Sequence, residues 1–544
     1  MARIRRELRD PRFGEYHLCE RSGGEEGVER AREGEGAKRA ARSPSTPQPH
    51  SPLPPPVFTN RLDDVRLQDL AEADARERVF GVTEAFGDFV PLSPRHFAVP
   101  PLRPAALLAP AAWDYAASTD ALTRVTEGVA SVLLSLRRRF QVRHAAGSEP
   151  AARLAAALHH LADVDERALF DFGGRAGEGP PLLLVLDRRD DPVTPLLSQW
   201  TYEAMAHELL GITDGCVDLS RAPGVGPAFR DIVLTAAADP FFAAHARSNF
   251  GDVGVAVRGL VDDVARSTAG ARGMATVAAM RAFVESVPDV TAAQAAAGKH
   301  VSLLGELARL VDARGLMALS ALEQELACGS GSAAAHADAV ATALADARAA
   351  DGDRLRLAAL FALRHERDGA TAIADFERRL LDYGLPPRGV GALRTLLRRA
   401  GAAARSGDLY SDRTLAARLA ATAKASLRGV ENVYTRHTPP LVATVGDALR
   451  GRLSPVDFPT SPASPAQPSA PPPLPPKLVV VFIMGGTTHE EAAAVEELND
   501  ACARGDGPAP GARVVLGGTG VLNSASFFRL LEEVGDAERV HGGG

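Results

Sequence analysis

The sequence has few cysteines, and their arrangement predicts neither a disulfide framework nor a zinc site. Its four cysteines, Cys19, Cys216, Cys328 and Cys502, lie far apart in a chain of 544 residues, and no Cys-x-x-Cys pair occurs. Zinc sites and disulfide-stabilised secreted domains need closely spaced or numerous cysteines. We therefore expect a protein of a reducing compartment that holds no metal through cysteine.

Long apolar runs and a concentrated positive charge are also missing. The longest apolar runs, 182–186 and 478–484, have the length of strands, whereas a membrane-spanning helix needs about 20 apolar residues. No apolar stretch follows the basic residues 1–6, so no signal peptide is predicted. The net charge is −7, which does not favour nucleic acid as a partner. We expect a cytoplasmic protein that reaches membranes through a partner.

Composition separates low-complexity segments from the rest of the chain. Residues 1–56 are rich in Arg, Glu and Gly and then in Pro, with few large apolar residues, so we expect them to be disordered. Residues 459–476 form a second proline-rich tract. This tract is interpreted either as a stiff loop between two folded parts or as a ligand for an SH3-like domain, since Pro472 and Pro475 precede the basic Lys477.

The remaining residues show two kinds of hydrophobic pattern. Around 180–215 and 478–530, short apolar runs are followed by turns and then by helical spacing, which is typical of α/β folds with buried parallel strands. Residues 240–450 instead place apolar side chains at helical spacing, as in Leu303 and Leu307. The sequence therefore predicts an α/β domain into which a large helical domain is inserted.

An acidic turn, residues 187–191, directly follows the first of these apolar runs. Nucleotide and Mg²⁺ sites form at the carboxyl ends of parallel strands, so a nucleotide-dependent α/β enzyme that uses this turn is one hypothesis. The alternative is a structural turn, in which Thr194 caps the next helix with Pro195 at its first position. Arg188 and Arg189 would then neutralise the carboxylates. The chain has no GxxxxGK[ST] phosphate loop, which favours the structural interpretation.

Two Gly-Gly-Thr turns, at 485–487 and 517–519, each follow an apolar run. Glycines before a helix can bind an anion on their backbone amides. However, Thr488 and Glu491 have the spacing of a capping box, which satisfies the same amides without a ligand. The sequence contains neither an HExxH metal motif nor a GxSxG nucleophile motif. We therefore predict no catalytic site and no cofactor.

Several long segments of the chain match strings of one known family. The string LDRRDDPVTPLL at 186–197 resembles the signature of the Sec/Munc (SM) family of SNARE regulators. The string QWTYEAMAHELLGI at 199–212 resembles its endosomal and trans-Golgi branch. Further similar segments lie at 218–224, 322–328, 429–435, 485–488 and 521–524. The resemblance extends from about Phe58 to Phe528.

The resemblance implies an α/β fold of the SM-family arch type, with a split α/β domain, a large mostly helical insert and a truncated first α/β domain. Residues 57–98 would be the remnant of the first domain, because the resemblance begins only near Phe58. Residues 99–235 and 477–540 would form the second, split domain. Residues 236–458 would form the inserted third domain.

The resemblance also implies a non-enzymatic regulator of vesicle docking and fusion that needs no cofactor. Its partner would be a syntaxin-type, Tlg-like SNARE of the trans-Golgi network and endosomes, in protein transport to the vacuole. The protein would be a monomer that associates peripherally with Golgi or endosomal membranes through that SNARE.

Two sets of side chains are implied to bind the partner. The pocket for an N-terminal syntaxin peptide would be lined by Leu70, Val82 and Glu84. The groove and hinge of the helical domain would be formed by Phe283, Pro288, Leu303 and Leu307. The first set is equally typical of an amphipathic helix that packs on a sheet, and the proline of the second set is equally typical of a helix end.

Overall fold

The computed structural model describes most of the chain between residues 56 and 541. The described residues are 56–60, 62, 64–74, 79, 81–110, 113, 116–172, 179–270, 277–407, 409–410, 436–461 and 474–541, with only the backbone at 116–117, 267–270, 277–289 and 541. The predicted disorder of residues 1–56 therefore falls almost wholly outside the described residues. The same is true of the middle of the proline-rich tract, 462–473.

The described elements alternate between strands and helices at both ends of the chain, with a long run of helices between them. The strands are β1 (Val57–Phe58), β2 (Thr83–Glu84), β3 (Val90–Ser93), β4 (His96–Ala98), β5 (Gln141–His144), β6 (Leu182–Asp187), β7 (Cys216–Asp218), β8 (Asp231–Val233), β9 (Thr460–Ser461), β10 (Leu478–Met484) and β11 (Arg513–Gly518). The helices are α1 (Asp64–Ala73), α2 (Pro104–Leu108), α3 (Ala116–Leu136), α4 (Glu149–His160), α5 (Tyr202–Leu209), α6 (Pro240–His245), α7 (Phe250–Gly270), α8 (Val277–Arg314), α9 (Leu316–Cys328), α10 (Ala333–Leu344), α11 (Asp351–Arg364), α12 (Ala370–Asp382), α13 (Pro387–Ala400), α14 (Leu441–Leu449), α15 (His489–Arg504) and α16 (Ser524–His541).

A seven-stranded sheet forms the centre of the α/β part, in the order β3-β4-β11-β10-β6-β5-β9. Its middle strands β6, β10 and β11 are parallel, and every residue of β10 is buried. Runs of Val, Leu and Ile are expected where a parallel strand is covered on both faces. The strands predicted for 182–186 and 478–484 are therefore confirmed, although almost three hundred residues separate them.

Sheet pairing changes one predicted boundary. Strand β4 is parallel to β11, with Phe97 opposite Gly517, and β3 is antiparallel to β4. Strands β3 and β4 therefore belong to the seven-stranded sheet. The sequence had predicted that the strands of this sheet form the second α/β domain and that residues 90–98 belong to the first. A separate two-stranded sheet, β1 beside β2, contains residues 57–58 and 83–84. The boundary predicted at residue 98 is therefore corrected, because strand pairing divides the chain before residue 90.

Helices fill the described part of the chain between β8 and β9. The longest, α8, has 38 residues. The large helical core contains Leu303 and Leu307 of α8 together with Leu357, Phe361 and Leu393 of α11 and α13. This core explains why apolar residues recur at helical spacing in the sequence, because each amphipathic helix buries its apolar side against the other helices.

The chain returns to the sheet before the predicted end of the helical insert. Helix α14 packs Leu441, Val445 and Leu449 against Leu184 and Val479 of the sheet. By packing, α14 thus belongs with the α/β part, although it lies within the range 236–458 that was predicted for the insert. The remaining domain boundaries stay predictions.

Candidate functional site

The acidic turn after β6 lies at the carboxyl edge of the sheet, as the sequence predicted. Asp187 is buried. Its carboxylate accepts hydrogen bonds from Ser148 Oγ at 2.6 Å and from the backbone amide of Arg189 at 3.0 Å. Both oxygens of this carboxylate are therefore engaged by the protein. Ser148 is also the N-cap of α4, so the turn is connected to the start of that helix.

Thr194 is hydrogen-bonded to Asp191 and does not cap a helix. The carboxylate of Asp191 accepts hydrogen bonds from the amide of Thr194 at 3.1 Å and from its hydroxyl at 2.6 Å. Thr194 is the first residue of a single 3₁₀ turn that ends at Leu196, and α5 begins only at Tyr202. The prediction that Thr194 caps a helix is therefore wrong, because its hydroxyl donates backward to Asp191.

Arg188 neutralises the turn from inside the protein. Its guanidinium is buried and donates to Glu491 Oε2 at 2.6 Å and to the carbonyl oxygen of Gly486 at 2.8 Å. It also lies 3.8 Å from the carboxylate of Asp191. Burial acts to lower the pKa of Arg188, but the carboxylates of Glu491 and Asp191 outweigh burial and raise it. The predicted internal neutralisation is confirmed, and Glu491 is a partner that sequence reasoning missed.

The same guanidinium lowers the pKa of the Asp191 carboxyl. Burial acts to raise this pKa, but Arg188 and His437 together with the bonds from Thr194 lower it. The other arginine of the turn, Arg189, lies 3.5 Å from Asp190. The turn is thus a closed set of ion pairs whose carboxylates already have donors. Such a set stabilises the fold and is poorly suited to bind a nucleotide-bound Mg²⁺ ion.

The first Gly-Gly-Thr turn is held by contacts within the protein. Gly485 and Gly486 have φ angles of +96° and +100°, which favour glycine. The amide of Gly485 donates to Thr519 Oγ1 of the second turn at 3.1 Å. The amide of Thr488 donates to Glu491 Oε2 at 2.9 Å, and the amide of Glu491 donates to Thr488 Oγ1 at 3.1 Å. The predicted capping box is confirmed.

The second Gly-Gly-Thr turn packs too closely to cradle an anion. A Cβ atom on Gly517 would lie 2.1 Å from the ring of Phe97 on β4, and one on Gly518 would lie 2.9 Å from the side chain of Thr487. Glycine is therefore needed here for close packing of neighbouring strands and turns. The geometry therefore favours a structural role for both Gly-Gly-Thr turns over anion binding.

Three histidines and a carboxylate meet between β4, α5 and α15. The rings of His207 and His489 are 5.0 Å apart, and His489 Nδ1 lies 3.5 Å from Glu203. His96 shares a hydrogen bond of 2.8 Å with Thr487. Burial and the neighbouring His489 lower the pKa of His96 to about 3 and that of His207 to about 4. Among the described residues, no group of His, Cys, Asp and Glu side chains is arranged to hold a metal ion.

The three residues assigned to a peptide pocket belong to the small N-terminal unit of β1, α1 and β2. Leu70 lies on α1, and Val82 immediately precedes β2; both are half-buried. Glu84 is exposed, and its carboxylate accepts a hydrogen bond from the amide of Leu62 at 2.8 Å. Glu84 thus has a local structural role, and the assignment of these three residues to partner binding stays a prediction.

The residues assigned to the helical groove lie in different environments. Leu303 and Leu307 are fully buried in the helical core. Their assignment to an open groove is therefore corrected, because helical spacing marks an apolar side of a helix without showing what covers it. Phe283 and Pro288 lie within α8, but their side chains are outside the described set. Since α8 continues through Pro288, this proline does not end the helix.

Comparison with known proteins agrees with this architecture. A sequence profile of the Sec1 family matches residues 57–530. The vacuolar protein sorting-associated protein 45 homolog of Arabidopsis thaliana is 37% identical, over 99% of this chain and 84% of that protein. The human vacuolar protein sorting-associated protein 45 is 36% identical, over 88% of this chain and 79% of the human protein.

Solved structures give the same result at the level of the fold. The SM protein Vps45 in complex with the Qa SNARE Tlg2 has a TM-score of 0.75 and 34% identity, over 88% of this chain and 82% of that one. The Unc18–syntaxin 1 complex from Monosiga brevicollis, at 17% identity, has a TM-score of 0.64 and supports the fold alone. From its sequence profile, relatives and fold, this chain belongs to the Sec1 family.

Proposed function

We propose that this chain is an SM-type regulator of SNARE-mediated vesicle docking and fusion. It binds a syntaxin-type, Tlg-like SNARE and serves protein transport between the trans-Golgi network or endosomes and the vacuole. The observation that carries the proposal is the similarity, in sequence and in fold over most of the chain, to a Vps45 that was solved together with the Qa SNARE Tlg2.

The site geometry supports a binding role in preference to catalysis. At the carboxyl edge of the sheet, Asp187 and Asp191 already accept hydrogen bonds from protein donors, and Arg188 is held by Glu491. Among its described residues the structure has no helix that could cross a bilayer. We propose that the protein acts in the cytoplasm, without enzymatic activity, and that its SNARE recruits it to Golgi or endosomal membranes.

Within this function, the exposed side of the N-terminal unit is the proposed site for a syntaxin peptide. Leu70 and Val82 are half-buried, so part of each side chain remains available to a ligand. Phe283 and Pro288 of α8 are proposed to contribute to the contact with the SNARE helix. Two tethered contacts of this kind strengthen binding through effective concentration.

Size-exclusion chromatography with a Tlg-like syntaxin cytosolic domain tests the function. We expect the two proteins to co-elute, and we expect Val82→Arg to reduce co-elution only when the N-terminal peptide of the syntaxin is present. Val65→Arg is the matched control, since Val65 is exposed on the same unit and is not assigned to the pocket. Separate elution of the folded wild-type protein and the syntaxin would refute the proposed function.

The rival nucleotide-dependent enzyme is tested in the same preparation. A ligand that binds only the folded state raises the melting temperature. We expect the syntaxin cytosolic domain to raise it and MgATP or MgGTP to leave it unchanged. Nucleotide turnover that disappears in Asp187→Ala, with the fold intact, would establish the rival function instead.

A further inference from the structure

Three consecutive residues of α8, Gly298, Lys299 and His300, each contact a different part of the surrounding structure. Consecutive residues of an α-helix point about 100° apart around its axis. The contacts of these three residues are therefore spread over about 200° of the circumference of α8. We call the three residues and their partners the collar of α8; the partners are Tyr202, Phe229, Val233 and Asp239.

Lys299 pairs with a buried carboxylate at the start of α6. Its ammonium group donates to Asp239 and to the carbonyl oxygen of Val233 on β8, the latter at 3.2 Å. Asp239 is the N-cap of α6, where its side chain accepts a hydrogen bond from the amide of Phe242 at 2.9 Å. The Asp239 side chain is only 3% exposed, and a buried charge depends on partners within the protein. Lys299 therefore connects α8 to both β8 and α6.

His300 connects the same carboxylate to α5. The ring of His300 is fully buried, and its Nε2 lies 3.2 Å from the carboxylate of Asp239. Its Nδ1 shares a hydrogen bond of 2.9 Å with the hydroxyl of Tyr202. Burial acts to raise the pKa of the Asp239 carboxyl, but the bonds from His300, Lys299 and the Phe242 amide outweigh burial and lower it. Asp239 is therefore a charged carboxylate that holds two neighbouring residues of α8.

Gly298 allows the turn before β8 to approach α8 closely. A Cβ atom at this position would lie 2.5 Å from the ring of Phe229. On the carboxyl side of the collar, Leu303 and Leu307 bury α8 in the helical core. On the amino side, residues 291–296 are exposed or half-buried. The collar thus lies at the point where α8 leaves the core.

A small rotation at the collar has a large effect at the other end of α8. Pro288 precedes Gly298 by ten positions, which is about 15 Å along a helix. A tilt of about 20° at the collar would displace Pro288 by about 5 Å, and side chains that are in contact have heavy atoms within about 4.5 Å of one another. Holding α8 on more than half of its circumference limits such a tilt.

We infer that the collar fixes the direction in which the amino-terminal part of α8 leaves the core and thereby positions this part for the SNARE. The inference rests on the proposed function, in which Phe283 and Pro288 contribute to the contact with the SNARE helix. Asp239, Lys299 and His300 are positioning residues, because they hold α8 and do not themselves touch the SNARE.

The variant Asp239→Asn tests the collar with little disturbance of the fold. Asparagine is as good a helix N-cap as aspartate, so α6 keeps its cap while the ion pair with Lys299 is lost. Isothermal titration calorimetry of the full chain uses two titrants, a peptide-deleted syntaxin cytosolic domain and the isolated N-terminal peptide of the syntaxin. If α8 then has the binding direction about a tenth of the time, the Kd for the peptide-deleted syntaxin rises about tenfold. The Kd for the isolated peptide should not change.

Lys299→Met is the second variant, and it should give the same difference between the two titrants. Lys477→Met is its matched control, since Lys477 lies before β10 and donates to the carbonyl oxygen of Pro510. Gly517→Ala is the control for a general loss of stability, because its methyl group would lie 2.1 Å from the ring of Phe97 on β4. Both controls should bind the two titrants as the wild type does. Amide hydrogen exchange at 291–297 should be faster in Asp239→Asn than in either control.

Two results would overturn the inference. One is that Asp239→Asn or Lys299→Met, when folded, binds the peptide-deleted syntaxin with the wild-type Kd. The other is that Gly517→Ala loses the same affinity, since the loss would then follow from lower stability alone. If the wild-type protein binds neither titrant, the proposed function itself is wrong, and the inference that rests on it is wrong as well.

Discussion

At the residue scale, the buried guanidinium of Arg188 is the counter-ion of two carboxylates at the sheet edge, Glu491 and Asp191. Replacing it by methionine leaves Glu491 and Asp191 as buried carboxylates without their counter-ion. Loss of one partner of a buried ion pair typically lowers the free energy of unfolding by about 3–5 kcal/mol. We therefore expect Arg188→Met to be strongly destabilised in urea denaturation.

The control for this prediction is Arg348→Met, which removes an exposed arginine paired with Asp346 and should change stability little. The double variant Arg188→Met, Glu491→Leu should recover part of the loss, since it no longer leaves Glu491 unpaired. Equal stability of Arg188→Met and the wild type would contradict the assigned role of this arginine.

The buried histidines predict a dependence of stability on pH. His96 and His207 have pKa values of about 3 and about 4 in the folded protein, below the usual value of 6.5, because burial and the facing His489 disfavour their charged forms. The facing Glu203 opposes this shift only partly. The unfolded chain therefore binds more protons below pH 6.5, and stability is lost as the pH falls from about 6.5 toward 4 and 3.

The corresponding measurement is the free energy of unfolding between pH 6 and pH 4.5. Each neutral buried histidine contributes a slope of at most about 1.4 kcal/mol per pH unit. We expect His96→Gln to have a shallower slope than the wild type. His160→Gln, at an exposed histidine, should keep the wild-type slope. Identical slopes for all three proteins would show that His96 is already charged in the folded state.

At the scale of elements, β11 approaches β4 closely enough that only glycine fits at position 517. A methyl group there would lie 2.1 Å from the ring of Phe97. We expect Gly517→Ala to lower the melting temperature and the free energy of unfolding by about 1–3 kcal/mol through overpacking. Gly520→Ala is the control, since no atom lies within 4 Å of the added carbon.

A compensating variant makes this prediction specific to the contact. Phe97→Leu reduces the volume opposite position 517, so Gly517→Ala should be less destabilising in the Phe97→Leu protein than in the wild type. An equal cost in both proteins would mean that the strain arises in the backbone and not against the ring of Phe97.

Elements that are encoded by a short, continuous stretch of sequence were predicted well. The strands β6 and β10 are continuous apolar runs, and the capping box of Thr488 and Glu491 spans three positions. The pairing of Arg188 with Glu491 joins residues 303 positions apart, and no local pattern encodes such a contact. Likewise, the helical spacing of Leu303 identifies an apolar side of α8, but the helices that cover it come from distant segments.

At the scale of the whole molecule, the helical core is a stability determinant and not a recognition surface. Leu307 is fully buried there, so Leu307→Arg places a charge among apolar side chains. We expect this variant to be unfolded or strongly destabilised by circular dichroism. Val255→Arg, at an exposed position of the neighbouring α7, should remain folded. A folded Leu307→Arg protein that fails to bind a syntaxin would restore the groove interpretation.

Binding of a Tlg-like syntaxin is the property on which the proposed function of this member of the Sec1 family depends. Isothermal titration calorimetry of the full chain with the syntaxin cytosolic domain measures this most directly, with a peptide-deleted syntaxin as a second titrant. We expect saturable one-to-one binding that weakens, without disappearing, when the N-terminal peptide is removed. If neither titrant binds to protein that melts cooperatively, then the chain does not have the proposed function.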